Sequence, residues 1–454
     1  MQEFDLIVIG TGSGLEVSAD AAARGKSVAI VENGPFGGTC LNRGCIPSKM
    51  LIHSADVMET IKTAHLFGID AHVESIDWDM IMRRASEEVD HDAHEIEQGN
   101  RSIDNIEVFK SDGRFVDTKV LEIDGTQITA DIIVIAAGTR PYVPESLGLS
   151  GVPFITSDEA LRLPKQPARM AVVGAGYISA ELAHFYGSLG TDITIICRGD
   201  VLLRAEDEDI SRRFTEVYSR RFNVMLRSVI RSARMDGEEI VLEVDADGSP
   251  QEVRSDAVLV ATGRVPNTDT LNVEGTGVEV DERGYIKTDA TLETSTPGIW
   301  ALGDIVGRFL LKHSANMEAS YVTYNIAHPD HRVEVDYHAM PHAIFAGPQV
   351  GGVGATEREL KESGTHYVSA TYNYYDTAYG SSIEDKDGFV KVMADPESGE
   401  ILGCHIIGTD AATLIQEVAN PMRTRATADA VTQAIYVHPA LPEVVQRAFG
   451  ELGV

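Results

Sequence analysis

The sequence predicts an α/β fold: two dinucleotide-binding units, followed by a C-terminal α+β domain. Three observations point there. A short apolar strand at residues 5–9 runs into glycines at 10, 12 and 14. The same texture recurs at residues 170–173, ahead of Gly174 and Gly176. From about Val335 the chain changes to alternating strands and polar turns, with helices from Ala411 onward.

The first unit reads as a buried strand over 5–9 (Asp-Leu-Ile-Val-Ile), a turn carrying Gly10, Gly12 and Gly14, a helix to about Ala23, and a second strand over 27–31 that ends at Glu32. In that strand–turn–helix setting the glycines let the backbone approach a pyrophosphate, whose charge sits at the helix N-terminus. Glu32 is placed to bind a ribose. Leu15 stands where the third glycine of the fingerprint falls. The second unit has its strand at 170–173, then Gly174, Gly176 and Tyr177, a helix to about Tyr186 and a strand at 193–196. Ser179 replaces its third glycine. Two Rossmann-like units in one chain suggest two nucleotides, a flavin and a nicotinamide. Three more apolar strands end in small residues: 132–138 at Gly138, 257–263 at Gly263, and 298–304 at Gly303 and Asp304. Asp304 is expected to face a flavin ribityl chain.

The chain has 454 residues, 43% hydrophobic and 6% aromatic, ordinary values for a folded enzyme of several domains. Its apolar runs, such as 132–137, fall far short of the roughly 20 residues of a membrane span. Residues 1–5 lead straight into a strand without a basic stretch, so a cytoplasmic location is expected. Seventy acidic residues against 38 basic ones give a net charge of −32, and the basic residues are 11 Lys and 27 Arg. Such a field disfavours nucleic acid and anionic membranes as partners. Acid excess with lysine depletion suggests adaptation to molar salt, where the Debye length is about 3 Å and self-repulsion is screened.

Four cysteines are present: Cys40, Cys45, Cys197 and Cys404. A cytosolic chain of this size does not need structural disulfides, and no further zinc ligands flank Cys40 or Cys45, so no metal is expected. The stretch 37–49 reads Gly-Gly-Thr-Cys-Leu-Asn-Arg-Gly-Cys-Ile-Pro-Ser-Lys. Two cysteines five apart can sit on adjacent turns at a helix start, and a helix N-terminus lowers a thiol pKa, which frees the thiolate for exchange.

Here the sequence resembles the class I pyridine nucleotide–disulfide oxidoreductases, over essentially its whole length. The resemblance implies that Cys40 is the interchange thiol that attacks substrate and that Cys45 lies against the flavin as the charge-transfer thiolate. Lys49 and Glu181 would pair beside the flavin, Tyr177 would gate the nicotinamide pocket, and Gly38 and Thr39 would join the flavin site. Gly303 and Asp304 match the family's second flavin motif. Near the C-terminus, His438-Pro439-Ala440-Leu441-Pro442-Glu443 matches its acid/base histidine and the glutamate that orients it, supplied by the other subunit of a homodimer. The expected domains are FAD-binding over 1–145 and again over 267–334, NADPH-binding over 146–266, and dimerisation over 335–454.

An NADH site usually ends its second strand in an acid that grips the ribose 2′-hydroxyl. Cys197 and Arg198 stand there instead, and Arg198 with Arg204 suits a 2′-phosphate, which points to NADPH. Residues 10–14, 67–72, 310–313, 378–380 and 438–445 are most similar to mycothione reductases. The arginine pair disfavours a dihydrolipoamide dehydrogenase. His438, Glu443 and a cysteine-free tail disfavour mercuric reductases and large thioredoxin reductases. Asp20 replaces the arginine with which glutathione reductases hold a substrate carboxylate. Combined with the acidic composition, the resemblance to haloarchaeal members implies bis-γ-glutamylcystine as substrate. Arg83 and His94, on the helix after Trp78, are candidate substrate contacts.

Overall fold

The computed structural model describes residues 1–453; Val454, the last residue of the cysteine-free tail, lies outside them. The fold is α/β and packs as two compact units. The first comprises residues 1–48, 82–142 and 263–336; the second comprises 49–81, 143–262 and 337–454. Among the described residues no helix is long and apolar enough to cross a membrane.

The first unit is built on a seven-stranded sheet. Its parallel part runs Ile106–Phe109, Val28–Val31, Gln2–Ile9, Thr126–Ile135, with Ile299–Ala301 also paired to the last of these. Strands buried on both faces read as unbroken apolar runs. Accordingly Ile7, Ile9, Ala29 and Val31 pack into one core, and Leu6, Val8, Val28 and Ile30 into another. Register then decides where the loops emerge. Ile9 pairs with Val31 and Ile135, and Ile135 with Ala301. Gly10, Glu32, Gly138 and Gly303 therefore all leave the sheet at its C-terminal end, where nucleotides bind in open α/β sheets. Helix α1 (Gly14–Ala23) starts at that end and buries Val17, Ser18 and Ala22.

The second unit repeats the device on a four-stranded parallel sheet, in the order Asn223–Met225, Asp192–Ile196, Arg169–Val173, Ala257–Val260. Val173 is level with Ile196 and Val260, so Gly174, Cys197 and Ala261 emerge together. A five-stranded antiparallel sheet from residues 341–408 is covered by helix Ala411–Arg423 and by the C-terminal helix Glu443–Gly450, whose Val444, Val445, Ala448 and Phe449 complete its core.

One strand of that sheet, Phe389–Ala394, is buried along its whole length yet carries Lys391. The ammonium donates to Asp207 Oδ1 at 2.8 Å, Asp209 Oδ2 at 2.7 Å and Glu357 Oε2 at 2.9 Å. These acids stand at the N-termini of two helices, Glu208–Arg221 and Glu357–Ser363. Burial lowers the Lys391 pKa, but its three carboxylate bonds outweigh this and hold it above the usual lysine range. Bonding to Lys391 holds Glu357 down to about 2.

A depressed carboxylate pKa stabilises the fold above the ordinary carboxylate range and loses that contribution as pH falls through the folded value; a raised lysine pKa loses its contribution only as pH rises through its own. Lys391→Met strands the buried Asp207 carboxylate without its cation and should cost about 3–5 kcal/mol. Melting curves of wild type and variant at fixed salt should differ most between about pH 5 and 10 and converge as pH falls toward 2. A gap that persists undiminished in acid would contradict the assignment.

Candidate functional site

The two cysteines of the first unit do not lie on adjacent turns of one helix. Helix α2 (Gly38–Arg43) ends at Gly44, where φ is −149° and ψ −117°, and helix α3 (Cys45–Thr63) begins at the next residue. Cys40 sits inside α2 and Cys45 opens α3. The break requires a glycine: a Cβ on Gly44 would lie 2.8 Å from the Thr39 carbonyl oxygen and 3.3 Å from Cys40 Cα. Without one, the chain folds back and the Cys40 thiol comes into hydrogen-bond contact with the Cys45 thiol and the Cys45 backbone N–H. Cys45 is exposed and Cys40 half-buried. The Cys45 thiol, then burial, push the Cys40 pKa up, against the Lys312 ammonium and the Cys45 N–H. The pair is thus built to carry one negative charge rather than two. The easily ionised outer thiol that a helix start suggested is not what this geometry gives Cys40.

Around the same sheet end stand the remaining predicted residues of this unit. Gly10 (φ +99°) passes so close to Ala136 that a Cβ would lie 2.3 Å from its carbonyl oxygen. Gly38, with Thr39 at the start of α2, backs onto Gly12: a Cβ on Gly38 would meet Gly12 Cα at 2.9 Å. Gly12 and Gly138 face open space, leaving a cradle with bare backbone against the N-terminus of α1, which Gly14 opens. Glu32 accepts from Thr11 N (3.0 Å), Thr11 Oγ1 (2.6 Å) and Gly34 N (2.7 Å), so its carboxylate ties the glycine turn to the neighbouring strand end. Gly303 N donates to the buried Glu318 at 2.5 Å. Burial pushes the Asp304 carboxyl up, and Arg264 and Lys312 pull against it; its Oδ2 accepts from Thr139 Oγ1 at 3.1 Å. A bare glycine turn on a helix N-terminus, beside a sequestered carboxylate, fits the pyrophosphate and polyol of FAD.

Sequence reasoning missed Arg264, Lys312 and Glu318. Arg264 donates to Thr139 Oγ1 and O, both at 2.7 Å. Lys312 donates to Ser13 Oγ at 2.9 Å, which puts a cation at the glycine turn. Arg264 had its position directly after Gly263 as a signal, and Lys312 had its place in the segment 310–313 that resembles mycothione reductases; Glu318 had none. Asp20 is paired to Arg24 at 2.7 Å, and Arg83 and His94 are exposed on their helix.

In the second unit, Lys49 Nζ donates to both oxygens of Glu181, at 2.8 and 2.9 Å, and Phe345 N also donates to Glu181, at 2.9 Å. Glu181 lies on helix α4 (Tyr177–Ser188), which Gly176 precedes; Tyr177 at its first position is exposed. Gly174 (φ +132°) approaches Ala261, while Gly176 faces open space. Arg198 and Arg204 are exposed on the loop between Asp192–Ile196 and helix α5 (Glu208–Arg221). Gly263 falls in the first unit, where its carbonyl accepts from Tyr142 N. His438 Nδ1 lies 2.9 Å from Glu443 Oε1, and Ala440 N donates to Glu443 Oε2 at 3.1 Å. Bonds from His438 and the Ala440 N–H lower the Glu443 pKa. The imidazole itself is 73% exposed.

Residues 4–319 match the family model of the pyridine nucleotide-disulphide oxidoreductases, and residues 340–449 match that family's dimerisation domain. Mycothione reductase of Mycobacterium tuberculosis is 38% identical over 99% of both chains. Dihydrolipoyl dehydrogenase of Bacillus subtilis is 32% identical over 98% of this chain and 96% of its own. Among solved structures, the HOCl-induced flavoprotein disulfide reductase RclA from Escherichia coli superposes with a TM-score of 0.87 at 25% identity, covering 98% of this chain and 99% of that one.

The Gly44 contact yields a test. Gly44→Ala should push α2 from the start of α3, destabilise the protein by about 1–3 kcal/mol, and slow closure of the dithiol by a small oxidant. Thiol counting during oxidation measures it. Closure at the wild-type rate would show that the Gly44 break does not set the thiol spacing.

Proposed function

The chain belongs to the pyridine nucleotide-disulphide oxidoreductases, and from that premise we propose that it is an FAD enzyme that reduces bis-γ-glutamylcystine with NADPH, as a homodimer in a salt-rich cytoplasm. The observation that carries the reading is the contact between the Cys40 and Cys45 thiols. Gly10, Gly12, Gly14, Gly38 and Thr39 hold the flavin pyrophosphate, Glu32 a ribose, and Gly138, Gly303 and Asp304 the ribityl side. Bound there, FAD supplies a two-electron relay between a nicotinamide and a dithiol. Gly174, Gly176 and Tyr177 receive NADPH, and Arg198 and Arg204 take its 2′-phosphate. Lys49 and Glu181 serve the flavin half-reaction as an ion pair.

The substrate half is thiol–disulfide exchange. His438, supplied by a second copy of the chain and oriented by Glu443, takes the Cys40 proton. The Cys40 thiolate attacks one substrate sulfur, forming a mixed disulfide and releasing the first thiolate, which recovers the proton from His438. Cys45 then attacks Cys40 Sγ, releases the second thiolate and leaves Cys40–Cys45 oxidised. NADPH returns two electrons, so that NADPH, one proton and one disulfide give NADP⁺ and two thiols. The exposed His438, flanked by exposed Ile435 and Val437, supports a face covered by a second copy. Two features support the substrate. Asp20 is occupied by Arg24 and gives a glutathione carboxylate no cation, and the −32 charge suits a salt-rich cell. The 38% identity to a mycothione reductase favours mycothione as the second reading.

Cys40→Ser should cut disulfide turnover by about 10³-fold or more while NADPH oxidation by a dye that accepts electrons directly from flavin is kept. Loss of both activities would place Cys40 on the wrong half-reaction. In a panel of bis-γ-glutamylcystine, mycothione, glutathione disulfide and lipoamide, kcat/KM should be highest for the first. Because an acidic protein repels an anionic disulfide when charge is unscreened, its KM should rise as KCl falls from above about 1 M to about 0.1 M. A preference for mycothione, or activity indifferent to salt, would replace the substrate and leave the disulfide chemistry in place.

A further inference from the structure

Positive charge is scarce in this chain, with 38 basic residues to 70 acidic ones, and many arginines are consumed by carboxylates. Arg169 holds Glu239 and Asp256, Arg220 holds Asp387, and Arg254 holds Asp236 and Glu239. Arg198, Arg204 and Arg358, like Arg114, Arg264, Arg283 and Arg447, are exceptions: among the described residues none of them has a carboxylate within ion-pair distance. Arg198 and Arg204 belong to the loop already assigned to the 2′-phosphate. Arg358 comes from elsewhere in the sequence, the second residue of helix α6 (Glu357–Ser363).

The fold brings Arg358 to Arg204. Asp207, three residues after Arg204, accepts the Glu357 N–H at 3.1 Å, and Lys391 bridges the Asp207 and Glu357 carboxylates. With the two segments bolted at 207 and 357, Arg358 Nη2 lies 3.5 Å from the Arg204 carbonyl oxygen. Both side chains line one cavity of about 170 Å³ together with Arg212, Asp200 and Glu208. Arg212 is already neutralised by Glu208 at 2.9 Å and Asp209 at 3.2 Å. The lining thus holds three arginines against two acids, a surplus of positive charge in a chain that elsewhere carries the opposite sign.

We infer that Arg358 is a further residue of the 2′-phosphate site, binding that group jointly with Arg204, with Lys391 as the positioning residue that holds the two arginines together. The inference rests on the NADPH reading and deepens it. A phosphate dianion between two guanidinium groups satisfies both charges, and planar arginine forks suit its oxygens. What sets Arg358 apart from the chain's other unpaired arginines is its place beside Arg204 in one cavity. The cation and its scaffold come from residues far past the nucleotide-binding strand Asp192–Ile196 that they serve, so no motif in that strand's neighbourhood reports them.

The test uses the full-length holoenzyme at about 0.1 M salt, where exposed charges are not fully screened. Calorimetry compares 2′,5′-ADP, which carries the extra phosphate, with 5′-AMP, which does not, for wild type, Arg358→Ala, Arg358→Lys and Arg204→Ala. Arg358→Ala should weaken 2′,5′-ADP about five- to tenfold, leave 5′-AMP unchanged, and raise the KM for NADPH without lowering kcat. Arg358→Lys should recover part of the loss, since it keeps the charge and not the fork. If Arg358→Ala leaves 2′,5′-ADP binding unchanged while Arg204→Ala weakens it, Arg358 is not in the site and the NADPH reading stands. If wild type binds 2′,5′-ADP no tighter than 5′-AMP, the NADPH reading itself fails, and this inference with it.

Discussion

Cys40 and Cys45 meet because the chain between them abandons helical geometry at one residue. Gly44 lets α2 stop and α3 start with their ends touching, at a separation from Thr39 and Cys40 that no side chain could occupy. The contact gives the two sulfurs a shared proton economy: deprotonating Cys40 beside Cys45 is penalised, and the Cys45 N–H and the Lys312 ammonium partly repay it. A dithiol so arranged is suited to hold one negative charge and to pass between reduced and oxidised states over a small movement. The rest of the first unit serves to deliver this turn to a nucleotide. Gly38, two residues before Cys40, packs on Gly12 of the glycine turn, and Lys312 bonds Ser13 within that turn.

Strand register does the delivering. In each unit the parallel strands end level, so segments distant in sequence emerge at one edge: Gly10, Glu32, Gly138 and Gly303 in the first, Gly174 and Cys197 in the second. Level ends follow from apolar runs of similar length buried on both faces, which fixes the pairing without any side-chain lock. The second unit adds an ionic lock where apolar packing could not specify an answer. Lys391, inside a fully buried strand, selects the three acids that begin α5 and α6. A buried ammonium finds few alternative partners, so such a lock contributes specificity as much as stability.

Much of this was legible in the residues. Apolar runs followed by glycines announced both parallel sheets and the end at which their loops cluster, and the change of texture near Val335 announced the antiparallel sheet. What escaped has common physical causes. The helix break at Gly44 needs a residue without a Cβ beside the Thr39 carbonyl, which spacing alone does not reveal, so the cysteines read as turns of one helix. Glu32 reads as a ribose ligand, yet its oxygens also tie Thr11 and Gly34, because an acid at a strand end can serve its own loop. Lys312, Arg264 and Arg358 act on segments far from their own in sequence, and single cations carry no periodic signature. They become visible only against the charge balance of the whole chain.

The central claim is that Cys40 and Cys45 form the redox couple that NADPH reduces, while Cys197 and Cys404, both buried, stay outside the electron path. The direct measurement is alkylation mapping by mass spectrometry on the oxidised holoenzyme, before and after one equivalent of NADPH without oxygen. The account predicts that Cys40 and Cys45 become alkylated only after NADPH, while Cys197 and Cys404 remain unmodified in both states. No NADPH-dependent gain at Cys40 and Cys45, in a protein shown to carry FAD, would contradict it.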